Sequence, residues 1–391
     1  MVSLAVSLVA AGFVFAEGAG LGERGREAVR WLDAQARAVV VLVSFLEPPV
    51  VSPAMRAVTG EPEVEETKVS GNPTSVYRPA GEGPYPTIVV ANGTLPQGRE
   101  YEGIRDLSTG LARAGYLVVV PDLPGLMDDT ISPETVEETV AVGDEVSGWE
   151  EVRGGRVGFI GVSTGATLAL LAAEDLELRE RVSAVAGVAP YTDIRTVLSL
   201  ATTGHYRLDG EMVPYETGPL LSYVVGRSVI STLPPGPDRE KLLRELDDVG
   251  RYEPDPLAVY RDFPPEEVGC EARRVLAFLQ NRDPERFWDL YRGLPQKTRE
   301  DLLVLSPIDG AGRLEAPVEL VTGREDRYFP VSESYRLRSV APERVVTVTE
   351  VLDHSEIQVS PDTLPDFARL VAFAGRGLAE LRSDPDQDSR S

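Results

Sequence analysis

Histidine and cysteine are the scarce residues of this 391-residue chain, which has two histidines, His205 and His354, and a single cysteine, Cys270. One thiol excludes an intrachain disulfide and a cysteine-rich metal site, and two histidines far apart in sequence offer no ligand set for a zinc hydrolase. No glycine-rich phosphate loop follows a strand other than the turn at Ser163, and no internal repeat is evident. Neither a cofactor nor a metal is therefore expected. Basic residues are also in deficit, 39 against 63 acidic ones, for a formal net charge of −24. Phosphate backbones and anionic membrane surfaces need a basic face, so nucleic acid is not expected as a partner. Lysine is rarer still (Lys68, Lys241 and Lys297), an arginine bias to which no function attaches.

What is present is enough apolar residue for a large core, 42% of the chain against 26% charged. The length suggests one large catalytic domain with an insertion and an N-terminal extension. The most informative stretch is Gly161-Val162-Ser163-Thr164-Gly165. The apolar run Arg156 to Val162 before it reads as a buried strand, and Ala166 to Ala173 after it reads as a buried helix. Ser163 then sits on a tight strand-to-helix turn, where glycines two residues to either side avoid collisions with the neighbouring backbone. A helix-capping serine on an ordinary turn is the plain alternative.

A serine hydroxyl attacks poorly at neutral pH unless an imidazole takes its proton and a carboxylate holds that imidazole in the right tautomer. His354 follows the strand-like Val345 to Val351, and an acidic loop, Arg324-Glu325-Asp326-Arg327, follows the strand-like Ala316 to Thr322. Both would lie at the C-terminal ends of strands, where open α/β sheets place their sites. Asp326 is the preferred acid, with Glu325 and Asp353 as competitors. His205 precedes the acid and reads as structural or substrate-contacting.

With these residues in place the chain resembles the α/β-hydrolase family over roughly residues 62 to 380. The resemblance is carried by Gly161 to Gly165, by Thr322-Gly323-Arg324-Glu325-Asp326 followed by Pro330, and by Leu352-Asp353-His354. It implies Ser163 as nucleophile, Asp326 as orienting acid and His354 as general base, with the backbone N–H groups of Thr94 and Thr164 as oxyanion donors. Asn92 stands before Gly93 where many members carry histidine.

The expected architecture is a doubly wound, mostly parallel sheet with a helical cap insertion and an N-terminal helical appendage. Residues 62–193 and 313–382 would form the catalytic domain, 194–312 the cap, 1–61 the N-terminal extension and 383–391 a disordered tail. Val64 to Val69 and Ser75 to Arg78 read as edge strands joined by a turn at Gly71-Asn72-Pro73. The cap aromatics, among them Phe287, Trp288 and Tyr291, read mainly as cap core, and substitutions there are expected to reorder ester chain-length preference. Residues 1–16 are almost wholly apolar, but the arginines (Arg24, Arg26, Arg30) flank the wrong side for an exported signal. A docked helix and a cytoplasmic location are favoured, with a signal peptide or membrane association through residues 1–16 as the alternative.

The reading is a serine esterase acting on a small-molecule ester through an acyl-enzyme. The alternatives are a prolyl-oligopeptidase-like peptidase, an acyltransferase, or a non-catalytic binding protein on the same scaffold.

Overall fold

The computed structural model describes residues 23–46, 59–341, 344–358 and 361–382. The apolar segment 1–16 and the tail 383–391 lie outside the described residues. The chain opens with α1 (Glu23–Leu46) and then builds eight strands into one sheet: β1 (Glu63–Val69), β2 (Asn72–Arg78), β3 (Tyr85–Ala91), β4 (Leu117–Pro121), β5 (Val152–Val162), β6 (Val182–Val188), β9 (Val318–Gly323) and β10 (Arg344–Thr349). Their order is β1-β2-β4-β3-β5-β6-β9-β10, antiparallel for the β1/β2 and β2/β4 pairs and parallel elsewhere.

The central strands β3, β4 and β6 are buried, largely apolar runs because both faces are covered. Alternation sorts them: Val89, Phe159 and Val185 face one core, and Ile88, Ile160 and Ala186 face the other. The first core is closed by α3 (Pro133–Ser147) and α4 (Thr164–Glu174), the second by α1, α2 (Glu102–Arg113) and α12 (Leu364–Glu380). The strand order reverses between β3 and β5, which is where a doubly wound sheet opens its crevice. Residue 94 follows β3 and residue 163 follows β5.

α1 is docked deep in this second layer. Ala38 and Val40 are fully buried, and Val41 and Leu42 nearly so, against Leu111, Leu370 and Phe373. The helix axes approach closely at two glycines. A Cβ on Gly110 would lie 3.0 Å from Ser44 Cβ and 3.1 Å from the Val41 carbonyl oxygen, and one on Gly375 would strike the Gln35 side chain. Arg37 adds an ion pair to Asp33 and a bond to the Ala114 carbonyl. Among the described residues no helix is long and apolar enough to cross a membrane.

Two elements differ from the sequence expectation. β2 pairs on both sides and is an interior strand, and its largely buried pattern fits that place; only β1 is the edge at this end. The turn joining them is Ser70-Gly71, both at positive φ (49° and 83°), one residue earlier than expected. Residues 194–312 are not purely helical either. Between α5 (Ile194–Thr203) and α6 (Pro219–Ser231) runs a hairpin, β7 (His205–Leu208) paired with β8 (Glu211–Pro214). Its turn, Asp209-Gly210, has φ of 50° and 93°, the paired left-handed conformation that matches strand twist. Further helices α7 (Pro237–Val249), α8 (Cys270–Leu279), α9 (Phe287–Gly293) and α10 (Gln296–Leu303) complete this region, and α11 (Ser332–Val340) follows β9.

Candidate active site

Ser163 ends β5 and begins α4 with φ 55° and ψ −126°, a conformation an L-residue adopts only under constraint. The constraint is visible on both sides. A Cβ at Gly161 would run into Ala166, and one at Gly165 into the Ala91 and Asn92 carbonyl oxygens. The Ser163 N–H donates to the Val188 oxygen at 2.7 Å, tying the turn to β6. Gly93 presses the end of β3 against the same point, since a Cβ there would lie 3.3 Å from Ser163 Cβ.

α4 is eleven residues long and buried throughout, so the positive end of its dipole and its unbonded first N–H groups lie at Ser163. Thr164 supplies the first of those groups. Thr94, buried like Thr164, follows Gly93, and its carbonyl oxygen accepts from Arg251 of the cap at 3.4 Å.

His354 is held in the tight turn between two short strands, β11 (Leu352–Asp353) and β12 (Glu356–Ile357), at φ 57°. Its Nδ1 lies 3.0 Å from both carboxylate oxygens of Asp326. Asp326 is 2% exposed, and its Oδ1 also accepts the backbone N–H groups of Tyr328 (2.8 Å) and Phe329 (2.9 Å). Two backbone N–H groups and the imidazole thus converge on one buried carboxylate. The Tyr215 hydroxyl, from just beyond the cap hairpin, donates to the Asp326 carbonyl oxygen. Tyr328 and Phe329 pack edge-on against the imidazole, with ring centroids 4.7 and 5.7 Å away.

The competing acids lie elsewhere. Glu325 is exposed, and Asp353 binds Arg327 through both oxygens at 3.0 and 2.5 Å. The Arg327 guanidinium holds the Asp353 carboxyl below the usual carboxylate range. His205 sits in the hairpin with Nδ1 2.7 Å from the Thr203 carbonyl oxygen, a local structural bond.

Ser163, His354, Thr94 and Thr164 all line a cavity of about 660 Å³, within the range of small-molecule sites. The cap contributes aliphatic side chains to it, among them Val197, Leu221 and Val225. Phe287, Trp288 and Tyr291 do not line it. They pack on one another with centroids 5.3 to 6.1 Å apart inside the cap core, so the expectation that they select the ester is corrected. Sequence reasoning missed Tyr215, Tyr328 and the α1 wall residues Val41 and Leu42, since nothing in their local pattern marks them. Among the described residues no group of three His, Cys, Asp or Glu side chains could hold a metal ion.

The X-Pro dipeptidyl-peptidase (S15 family) model matches residues 73–215, well under half of the chain but including the elbow. No curated protein matches the sequence. Among solved structures the chain is similar to a putative dienelactone hydrolase from Klebsiella pneumoniae (15% identity, 81% of this chain and 98% of that one, TM-score 0.43). An esterase of Pyrococcus furiosus (15%, 82% and 93%, TM-score 0.43) and Est1E from Butyrivibrio proteoclasticus (14%, 82% and 99%, TM-score 0.45) are alike to a similar degree. Likenesses this distant say nothing of substrate. With its sheet reversing beside a strained serine elbow and the family match spanning that elbow, the chain has the α/β-hydrolase fold.

Proposed function

We propose that the protein hydrolyses carboxylic esters through an acyl-enzyme on Ser163. His354 Nε2 takes the hydroxyl proton as Oγ attacks the ester carbonyl, and Asp326 keeps the Nδ1 proton in place and stabilises the imidazolium that forms. The oxyanion of the tetrahedral intermediate accepts from the N–H groups of Thr94 and Thr164, where one such donor is worth ~3 to 4 kcal/mol. Collapse expels the alcohol, which takes the proton from His354. Water, deprotonated by the same imidazole, then attacks the acyl-enzyme and releases the acid.

The observation that carries the reading is the buried Asp326 carboxylate, with two backbone N–H donors on Oδ1 and both oxygens 3.0 Å from His354 Nδ1. Such an arrangement serves one tautomer of one imidazole that lines the same cavity as Ser163.

A peptidase is the second reading, favoured by the S15 match. An enzyme that removes dipeptides must hold a free ammonium group with a carboxylate. The two carboxylates lining the cavity, Asp353 and Glu356, both already pair with the Arg327 cation, at 2.5 and 3.2 Å, which supports the ester. The test is a panel of p-nitrophenyl esters beside X-Pro p-nitroanilides. Ester kcat/KM should exceed that of every anilide; the reverse ranking would replace the proposal by the peptidase. Added alcohols that divert product from acid to new ester would point to acyl transfer instead.

A further inference from the structure

Resting on the ester reading, we propose that the part of the cavity between the sheet and the α1/α2/α12 layer is a binding tunnel for a medium- to long-chain alkyl group on the acyl half of the substrate, and that α1 forms its far wall. The cavity borders two separate apolar cores. One lies under the cap, with Val197, Leu221 and Val225; the other is the second face of the sheet, with Ile160, Ala186 and Phe373. Ser163 lines the same cavity, so the space beside the nucleophile borders both cores.

The arm behind the sheet exists because the crossing residues are small. α12 presents Ala374 and Gly377 there, and β6 presents Ala186; a Cβ on Gly377 would already lie 3.3 Å from that of Ala186. Val41 and Leu42 of α1 line the cavity too, as do Leu107 and Leu111 of α2. These walls are hydrocarbon, whereas the charged lining residues, Arg327, Asp353 and Glu356, belong to the loops around His354. Such a wall recognises methylene groups alone, each worth roughly fourfold in affinity when buried. An enclosed arm suits the half of the ester that remains on Ser163, because the alcohol must leave before water can attack.

The test fills the arm. Ala374→Phe, with the milder Ala374→Leu as a second variant, is assayed on p-nitrophenyl acetate, butyrate, octanoate and laurate, and on the corresponding alkyl acetates, with folding followed by thermal melts. The laurate ester should lose at least tenfold in kcat/KM in Ala374→Phe while p-nitrophenyl acetate stays within about threefold, and Ala374→Leu should move in the same direction by less. Unchanged chain-length ranking would overturn the tunnel, and a loss confined to the alkyl acetates would overturn its assignment to the acyl half. Calorimetric binding of laurate to Ser163→Ala, with and without Ala374→Phe, reads the arm without turnover: the double variant should bind at least tenfold more weakly, and equal binding would refute it. Wild-type protein inert on every ester would sink the ester reading, while laurate binding would still decide the tunnel.

Discussion

Replacing Asp326 by asparagine tests the most specific geometry in the molecule. Oδ1 of Asp326 is pinned by the N–H groups of Tyr328 and Phe329 at 2.8 and 2.9 Å, so an amide in its place must put its carbonyl oxygen there. The amide NH2 then takes the Oδ2 position, 3.0 Å from His354 Nδ1, and becomes a donor where an acceptor stood. Because Oδ1 already accepts two backbone N–H groups, the NH2 favours the tautomer in which His354 Nδ1 accepts; the proton then sits on Nε2, and the imidazole can no longer take a proton from Ser163. The loss in kcat should be about 10⁴-fold, as in other triads, equivalent to roughly 5.5 kcal/mol in the barrier. The fold should survive, because both backbone bonds to the side chain are retained, weakened from charge-assisted to neutral, a cost of about 1 kcal/mol. Turnover of p-nitrophenyl acetate and thermal unfolding measure the two effects separately. Asp326→Asn retaining more than a tenth of wild-type kcat, or Glu325→Gln or Asp353→Asn proving more damaging, would refute the placement of the acid.

Three further outcomes follow from the same structure. His205→Ala should keep more than about a tenth of activity, a change below ~1.4 kcal/mol in the barrier, because the ring bonds the local Thr203 carbonyl and does not line the cavity at Ser163; ester kinetics check this. Phe287→Ala should lower stability by about 3 to 5 kcal/mol in denaturant unfolding while leaving the ester chain-length ranking unchanged, since this ring fills the cap core and does not line the cavity at Ser163. Glu174 is buried, and desolvation pushes its carboxyl up to about 8 despite Arg313, a half-exposed partner 3.5 Å away. The folded state therefore holds a proton that the unfolded chain releases near its ordinary range of about 4.3, and stability is lost as pH rises from there through about 8, roughly 1.4 kcal/mol per unit. Glu174→Gln should flatten that fall in denaturant midpoints measured from pH 5 to 8, and a parallel pH dependence in both proteins would show that Glu174 does not cause it.

The parallel core of the sheet was legible because strands covered on both faces have no polar positions to confuse the pattern, as in Val118-Val119-Val120 or Phe159-Ile160. The elbow was legible because collisions at Gly161 and Gly165 leave little choice of residue. The cap hairpin carried its own signal in Asp209-Gly210, which a helical reading of the whole insertion overrode. The interior place of β2 was hidden because Thr74 and Ser75 are buried polar residues in a strand that reads as half-exposed. The packing of α1 between α2 and α12 joins the two ends of the chain through Gly110 and Gly375, and no local spacing encodes a contact of that separation. For the same reason Phe287, Trp288 and Tyr291 could not be separated from Val197 and Val225 as core or cavity wall until the cap was seen folded.

A covalent intermediate at Ser163 is the central requirement of the proposed mechanism. Reaction with a slowly deacylating p-nitrophenyl ester, quenched in acid and followed by peptide mass spectrometry, should give a burst of nitrophenol of one equivalent per chain. It should also place one acyl group on the peptide containing Gly161-Val162-Ser163-Thr164-Gly165, absent from Ser163→Ala. Ester turnover that persists in Ser163→Ala, or an acyl group on any other residue, would contradict it.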